Sequence, residues 1–316
     1  IAHFSSRGPV SPFYIKPDMV APGAYINTTQ IGSTYNFTSG TSFAAPHVSG
    51  AAALLLQKNP NLENYELKSL LMTTVKPVSN AYGKEFSIHE SGSGRLDIAN
   101  AHNAKLIISP TNFVINLSLD EQSIQKELQL KFIENKSEEI DVEFEGPKFI
   151  EFKHEIKNDN LQIKFTMVEE KFGEHEGKIF INHEKIKYTI PILIHYTEAS
   201  IFVNQENEKL FFEINHPDKW SFAKISITNS KNGNSDTITM TPDKKISTEI
   251  YHNGEYWIEA KIMVNGNTTD AFNTIEINSI SEKADRLELI NIPEKQIIII
   301  ISIIVIVGII GLLIRK

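Results

Sequence analysis

The sequence contains no cysteine. Disulfides and thiolate metal sites are therefore excluded. The compartment stays open, because exported proteins also do without cysteine. Positive charge is scarce: 31 Lys and Arg stand against 39 Asp and Glu, a net charge of -8. Phosphate contacts need a basic patch, so nucleic acid is excluded as a partner. An acidic balance otherwise says only that the surface is soluble. The chain opens at Ile1 with neither an initiator methionine nor a signal peptide. The expectation is a piece of a longer protein, truncated upstream. Long uncharged runs are also rare, and the notable one is 297–314, from Ile297 to Ile314.

What is present begins with SGTSFAAPHVSGAAALLLQ, from Ser39 to Gln57. Ala44, Ala45, Val48, Ala51, Ala52, Leu54, Leu55 and Leu56 leave almost no polar face. The pattern predicts a helix buried on all sides. Pro46 would kink its first turns unless it lies close to the start. Ser42 then sits at the N-terminus, among unpaired N–H groups and at the positive end of the dipole. Such a place suits an oxyanion. Gly40 lets backbone approach a substrate closely. A helix cap is the plainer reading of the same serine.

The stretch from Gly40 to Gly50 closely resembles the motif around the nucleophilic serine of subtilisin-like serine proteases. Phe4-Ser5-Ser6-Arg7-Gly8-Pro9, Lys16-Pro17-Asp18-Met19-Val20-Ala21-Pro22-Gly23 and Gly92-Ser93-Gly94-Arg95-Leu96-Asp97 resemble other segments of that family, in the family's order. The resemblance covers about the first third of the chain. It implies that Ser42 is the nucleophile of an acyl-enzyme mechanism, with Gly40 and Thr41 shaping the oxyanion site. It implies no cofactor for the chemistry. Many relatives use structural calcium, of which the sequence shows no sign.

A serine needs a base. In the subtilisin order the aspartate and histidine precede the serine, and neither family motif occurs here. His47 lies five residues after Ser42, turned away from it around the helix, and reads as a packed structural histidine. His3 lies where the family does not place its base. The fragment is therefore expected to be inactive alone. Residues 1–104 read as the C-terminal part of an α/β catalytic domain whose mostly parallel sheet is largely absent. A segment of that kind should be unstable by itself.

Near Lys105 the texture changes to alternation of apolar and polar residues. Phe113 to Leu119, Leu128 to Phe132, Ile140 to Phe144, Leu161 to Phe165, Gly177 to Ile181 and Tyr188 to Ile194 read as strands. They suggest a β-sandwich over 105–198, similar to the fibronectin type III-like domains that often follow such catalytic domains. Pro191 should sit at an edge or a bulge. A second β-sandwich, immunoglobulin-like, is expected over 199–280, with Tyr256 and Trp257 reading as core or interface aromatics. A charged linker follows over 281–296. The run 297–314 is long enough to be one transmembrane helix, and Arg315 and Lys316 after it favour a cytoplasmic C-terminus with the rest outside the cell. Five N-x-[ST] sequons, at Asn27, Asn36, Asn116, Asn135 and Asn267, fit such a location but are short matches.

Two functions follow. One is a membrane-anchored, outward-facing serine endopeptidase acting on protein or peptide substrates. The other is a non-catalytic surface binding or structural protein carrying a degenerate protease domain.

Overall fold

The computed structural model describes residues 1–133 and 140–278. The chain opens with turns and a two-stranded antiparallel ribbon, β1 (Ile26–Gln30) and β2 (Thr34–Thr38). Four helices follow: α1 (Thr41–Lys58), α2 (Asn64–Thr73), α3 (Ile88–Ser91) and α4 (Ile98–Asn103). Pro60 cannot extend α1, and Asn59 closes it by donating to the carbonyl of Leu55. A capping box opens α2, in which the Glu63 N–H donates to Glu66 Oε2 at 2.9 Å.

Beyond Lys105 the chain is β. One sheet has the order β3 (Leu106–Ser109), β5 (Ser123–Phe132), β8 (Asn160–Met167), β7 (Ile150–Lys157). The facing sheet has the order β4 (Phe113–Ser118), β10 (Ile186–Thr197), β9 (Gly173–His183), β6 (Asp141–Glu145). Period-2 alternation drives both. Leu161, Ile163 and Phe165 of β8 are buried while Gln162 and Lys164 are exposed. The Tyr188 hydroxyl ties the two sheets together by accepting from the Lys105 and Leu106 N–H groups at 3.0 and 3.1 Å.

Two further sheets follow. One has the order β11 (Ser200–Glu206), β12 (Lys209–Asn215), β15 (Ser247–Glu249). The other has the order β14 (Ser235–Met240), β13 (Trp220–Asn229), β16 (Gly254–Val264), β17 (Asn267–Ile277). They enclose their own core, including Ile201, Leu210, Ile225, Ile258 and Ile262.

The first core is not confined to its sheets. Leu55 of α1, Leu70 and Leu71 of α2 and the strand residues Ile108, Ile115, Leu128 and Ile192 belong to one continuous cluster. Ser69, fully buried on α2, accepts from the Ile108 N–H of β3 at 2.8 Å. Glu66 pairs with Lys131 of β5. Burial alone would raise the Glu66 carboxyl, but the bonds from Lys131 and the Glu63 N–H outweigh it and hold its pKa down.

Several expectations are corrected here. The fold class is not an α/β domain followed by sandwiches and a transmembrane helix: the chain is mostly β-sheet with few helices. Within residues 1–104 the only named strands are the antiparallel pair β1–β2, and no parallel sheet is formed among the described residues. The helix expected to be buried all round buries only Ala51 and Leu55, and leaves Leu54 and Leu56 exposed. An apolar composition states a demand for neighbours, which α2, α4 and the loop around Gly23 meet in part. No helix among the described residues is long and apolar enough to cross a membrane. The stretches 281–296 and 297–314, read as linker and transmembrane helix, lie outside the described residues. Pro191 is in a strand that lies inside its sheet, paired with Lys178 of β9. The parallel ladder to β4 begins one residue later, at Ile192 and Phe113, so β10 has a neighbour on one side only at the proline.

Candidate functional site

The serine loop is held by backbone contacts among the motif segments. The Gly40 N–H donates to the Gly23 carbonyl at 2.7 Å, and the Tyr25 N–H donates to Ser39 Oγ at 2.9 Å. A Cβ on Gly23 would stand 2.9 Å from the Gly40 carbonyl oxygen and 3.1 Å from the Ala44 methyl, so only glycine permits this approach. The same segment is fixed from behind. Val20 donates to the Gly94 carbonyl, Leu96 donates to the Val20 carbonyl, and Ser93 donates to the Asp18 carbonyl. Gly92 has φ 58°, and a Cβ there would meet the Pro17 carbonyl oxygen at 2.2 Å. Three of the four stretches that stood out in the sequence, Lys16–Gly23, the Gly40 loop and Gly92–Asp97, thus meet in one place.

Gly40 is the N-cap of α1, and Thr41 and Ser42 are its first two residues, both exposed. The Phe43 N–H turns back to the Gly40 carbonyl at 3.0 Å. The N–H groups of Thr41 and Ser42 precede the first helical acceptor and point out of the helix end. Pro46 sits four residues after Ser42 and has no N–H. The Ser42 carbonyl therefore lacks the partner an ordinary helix residue would give it. With the dipole of an 18-residue helix behind it, this end offers a hydroxyl and unpaired N–H donors together to an incoming carbonyl.

Neither nearby histidine serves Ser42. His47 Nδ1 lies 2.8 Å from the Phe43 carbonyl oxygen and donates to it, a bond within the helix. His3 is exposed and packs edge-on to Phe4 at 5.3 Å. Among the described residues no histidine hydrogen-bonds the serine, and no group of three or more His, Asp or Glu side chains is arranged to hold a metal ion. Under α1 lies an apolar hollow of about 610 Å³, lined in part by Met19, Val20, Ala44 and Val48.

A second constellation escaped the sequence reading. His89 Nε2 lies 2.7 Å from Glu174 Oε1, and His195 Nδ1 lies 3.9 Å from Glu174 Oε2. Burial, with His89 nearby, pushes the His195 imidazole below its ordinary value of 6.5, against the pull of Glu174 and Asp270. These residues are 106 positions apart between first and last by their numbers (195 − 89). No local pattern announces them, and the one cue was a histidine among the apolar residues of β10.

Residues 1–122 match the family model described as the subtilase family. Subtilisin-like protease SBT1.6 of Arabidopsis thaliana is 39% identical over 135 residues, which are 35% of this chain and 18% of that protein. Minor extracellular protease Vpr of Bacillus subtilis is 28% identical over 201 residues, 57% of this chain and 25% of Vpr. Subtilisin BL of Lederbergia lenta is 42% identical over 81 residues, 25% of this chain and 30% of that enzyme. This chain thus spans less than a third of each of these relatives. The first two are named as proteases and the third as a subtilisin. Among solved structures, a fragment of titin aligns at 6% identity with a TM-score of 0.24, over 55% of this chain and 65% of that one.

Proposed function

We propose that this chain carries the serine-bearing part of a subtilase-type endopeptidase that acts outside the cell on protein or peptide substrates. The observation that carries the reading is the exposed Ser42 in the first turn of α1, beside free N–H donors. In this reading Ser42 attacks the peptide carbonyl, and its own N–H helps hold the oxyanion. Gly40 and Thr41 shape the loop around it. A histidine takes the proton and a carboxylate orients that histidine, both supplied from beyond the described residues. The extracellular setting follows the name of Vpr, which matches over more than half of this chain.

The test is labelling of source-cell fractions with a fluorophosphonate, which bonds to an activated serine. The expected result is a labelled peptide containing Ser42, in an extracellular or surface fraction, from a species heavier than 35.6 kDa. A second reading, a non-catalytic binding protein, is favoured by the lack of any described histidine bonded to Ser42. An unlabelled Ser42 in a chain of about this mass establishes it instead.

A further inference from the structure

The ribbon β1–β2 carries a surface that packing leaves unused. Residues two apart in a strand, and residues directly opposite across a pair, point the same way. The register sets Asn27 opposite Phe37 and Thr29 opposite Tyr35, so these four share one face. All four are exposed, Tyr35 at 70% and Phe37 at 66%. The ribbon pairs with no further strand among the described residues. From Ile26 to Thr38 it holds no charged residue. Two rings in water, on strands with open edges and no charge to guard them, invite unwanted pairing unless something covers them.

The same face carries an attachment point for such a cover. Asn27-Thr28-Thr29 is an N-x-[ST] acceptor for N-linked sugar. The extended backbone puts the Asn27 amide and the Thr29 hydroxyl on one side, both open to solvent. Directly opposite Cβ atoms lie about 5 Å apart. A sugar on Asn27 therefore reaches Phe37 first and Tyr35 next. Aromatic rings present an electron-rich face to which the C–H groups of a sugar ring can pack.

Position separates this sequon from the others. Asn116 lies in β4 with Oδ1 buried, Leu117 is in the core, and Ser118 is buried with Oγ 2.8 Å from Ser200 Oγ. A sugar there would keep β4 out of its sheet. Asn36 lies on the opposite face of the ribbon, and its Oδ1 accepts from the Phe37 N–H at 2.8 Å. Asn267 is exposed at the start of β17, but its partner across the pair is Val264 and not an aromatic residue. Asn135 lies outside the described residues.

We propose that Asn27 carries an N-linked oligosaccharide that lies over Tyr35 and Phe37 and shields the ribbon. The donor is a lipid-linked oligosaccharyl phosphate, and the catalyst is a separate transferase. The C1–O bond of the donor sugar breaks and a C1–N bond to Asn27 Nδ2 forms. The lipid phosphate leaves with the bonding electrons. The proton displaced from Nδ2 passes to a base of the transferase, and nothing is oxidised or reduced. The proposal rests on the setting outside the cell given above, and not on the chemistry of Ser42.

The experiment is glycopeptide mass spectrometry of the full chain from source cells, native and variant, with the cell fraction recorded. The peptide containing Asn27 is expected to carry added sugar mass. Asn27→Gln and Thr29→Ala should each lose that mass while Thr29→Ser keeps it, which separates loss of the acceptor from loss of the fold. The Asn116 peptide should be bare. Chymotrypsin should cut Asn27→Gln after Tyr35 and Phe37 faster than the native protein, by about tenfold or more. A bare Asn27 on a protein found outside the cell overturns the proposal and leaves the extracellular reading standing. A bare Asn27 on a protein found only inside overturns both. Equal cleavage of the two proteins overturns the covering of the rings. A sugar on Asn116 overturns exposure as the reason for singling out Asn27.

Discussion

His195 shows how a single side chain couples the fold to pH. Its folded pKa lies below 6.5 because burial disfavours the cation, with His89 and His175 adding to the effect and Glu174 and Asp270 opposing it. In the unfolded chain the ring returns to about 6.5. Between those two values the unfolded state binds more protons, so stability falls as pH falls. The neutral-ring contribution is fully present above about 6.5 and is lost as pH drops through the folded value. The melting temperature should therefore decline between about pH 7 and pH 5 more steeply in the native chain than in His195→Gln. Parallel curves for the two proteins would remove His195 from the acid response. The serine loop was legible in the sequence because its segments are local and rigidly spaced. The histidines around Glu174 were not, because strand pairing and interface packing bring them together and neither leaves a mark at short range.

The contact of α2 with β3 joins helix to sheet through one hydroxyl. Ser69 is fully buried and accepts the Ile108 N–H. Ser69→Ala keeps the helix propensity but strands that N–H in an apolar core, at a cost of about 1–3 kcal/mol. Denaturant titration should show this as a lowered midpoint with an unchanged slope. A neutral outcome would mean that the N–H finds another acceptor. At this level the sequence was informative where apolar and polar residues alternate, as in β8 and β9. It was uninformative for β17, whose Asn-Thr-Thr-Asp opening has no apolar rhythm and which pairs on one side only. The exposure of α1 was hidden for a different reason: its composition records which surface must be covered, whereas burial depends on which partners are at hand.

The whole molecule is clasped at two places. Helices and first sheets share a core, while the last sheets touch the N-terminal segment through rings. Phe13 stacks on Trp257 at 5.6 Å and meets Phe272 edge-on at 6.0 Å, and Tyr14 lies 5.4 Å from Trp257. Aromatic pairs of this kind contribute about 0.5–1.5 kcal/mol each beyond their buried area. Trp257→Ala should raise the rate of cleavage within residues 10–14 by an added broad-specificity protease by about tenfold or more. Unchanged cleavage would show that the clasp does not depend on that ring. Such contacts between distant parts were beyond the reach of strand patterns, which identified Trp257 only as a packing aromatic.

The shared core has a consequence for how such a chain can be reassembled from parts. The last pair of sheets brings its own interior and meets its neighbours through surfaces. It can be exchanged for another module near Ser200 with a few rings and polar side chains adjusted. The first pair cannot be exchanged in that way. Its strands share one interior with α2, and Ile108 supplies the N–H that Ser69 binds. Recombination that preserved the serine helix would have to carry β3 and β10 with it, making the heritable unit longer than the segment that bears the serine.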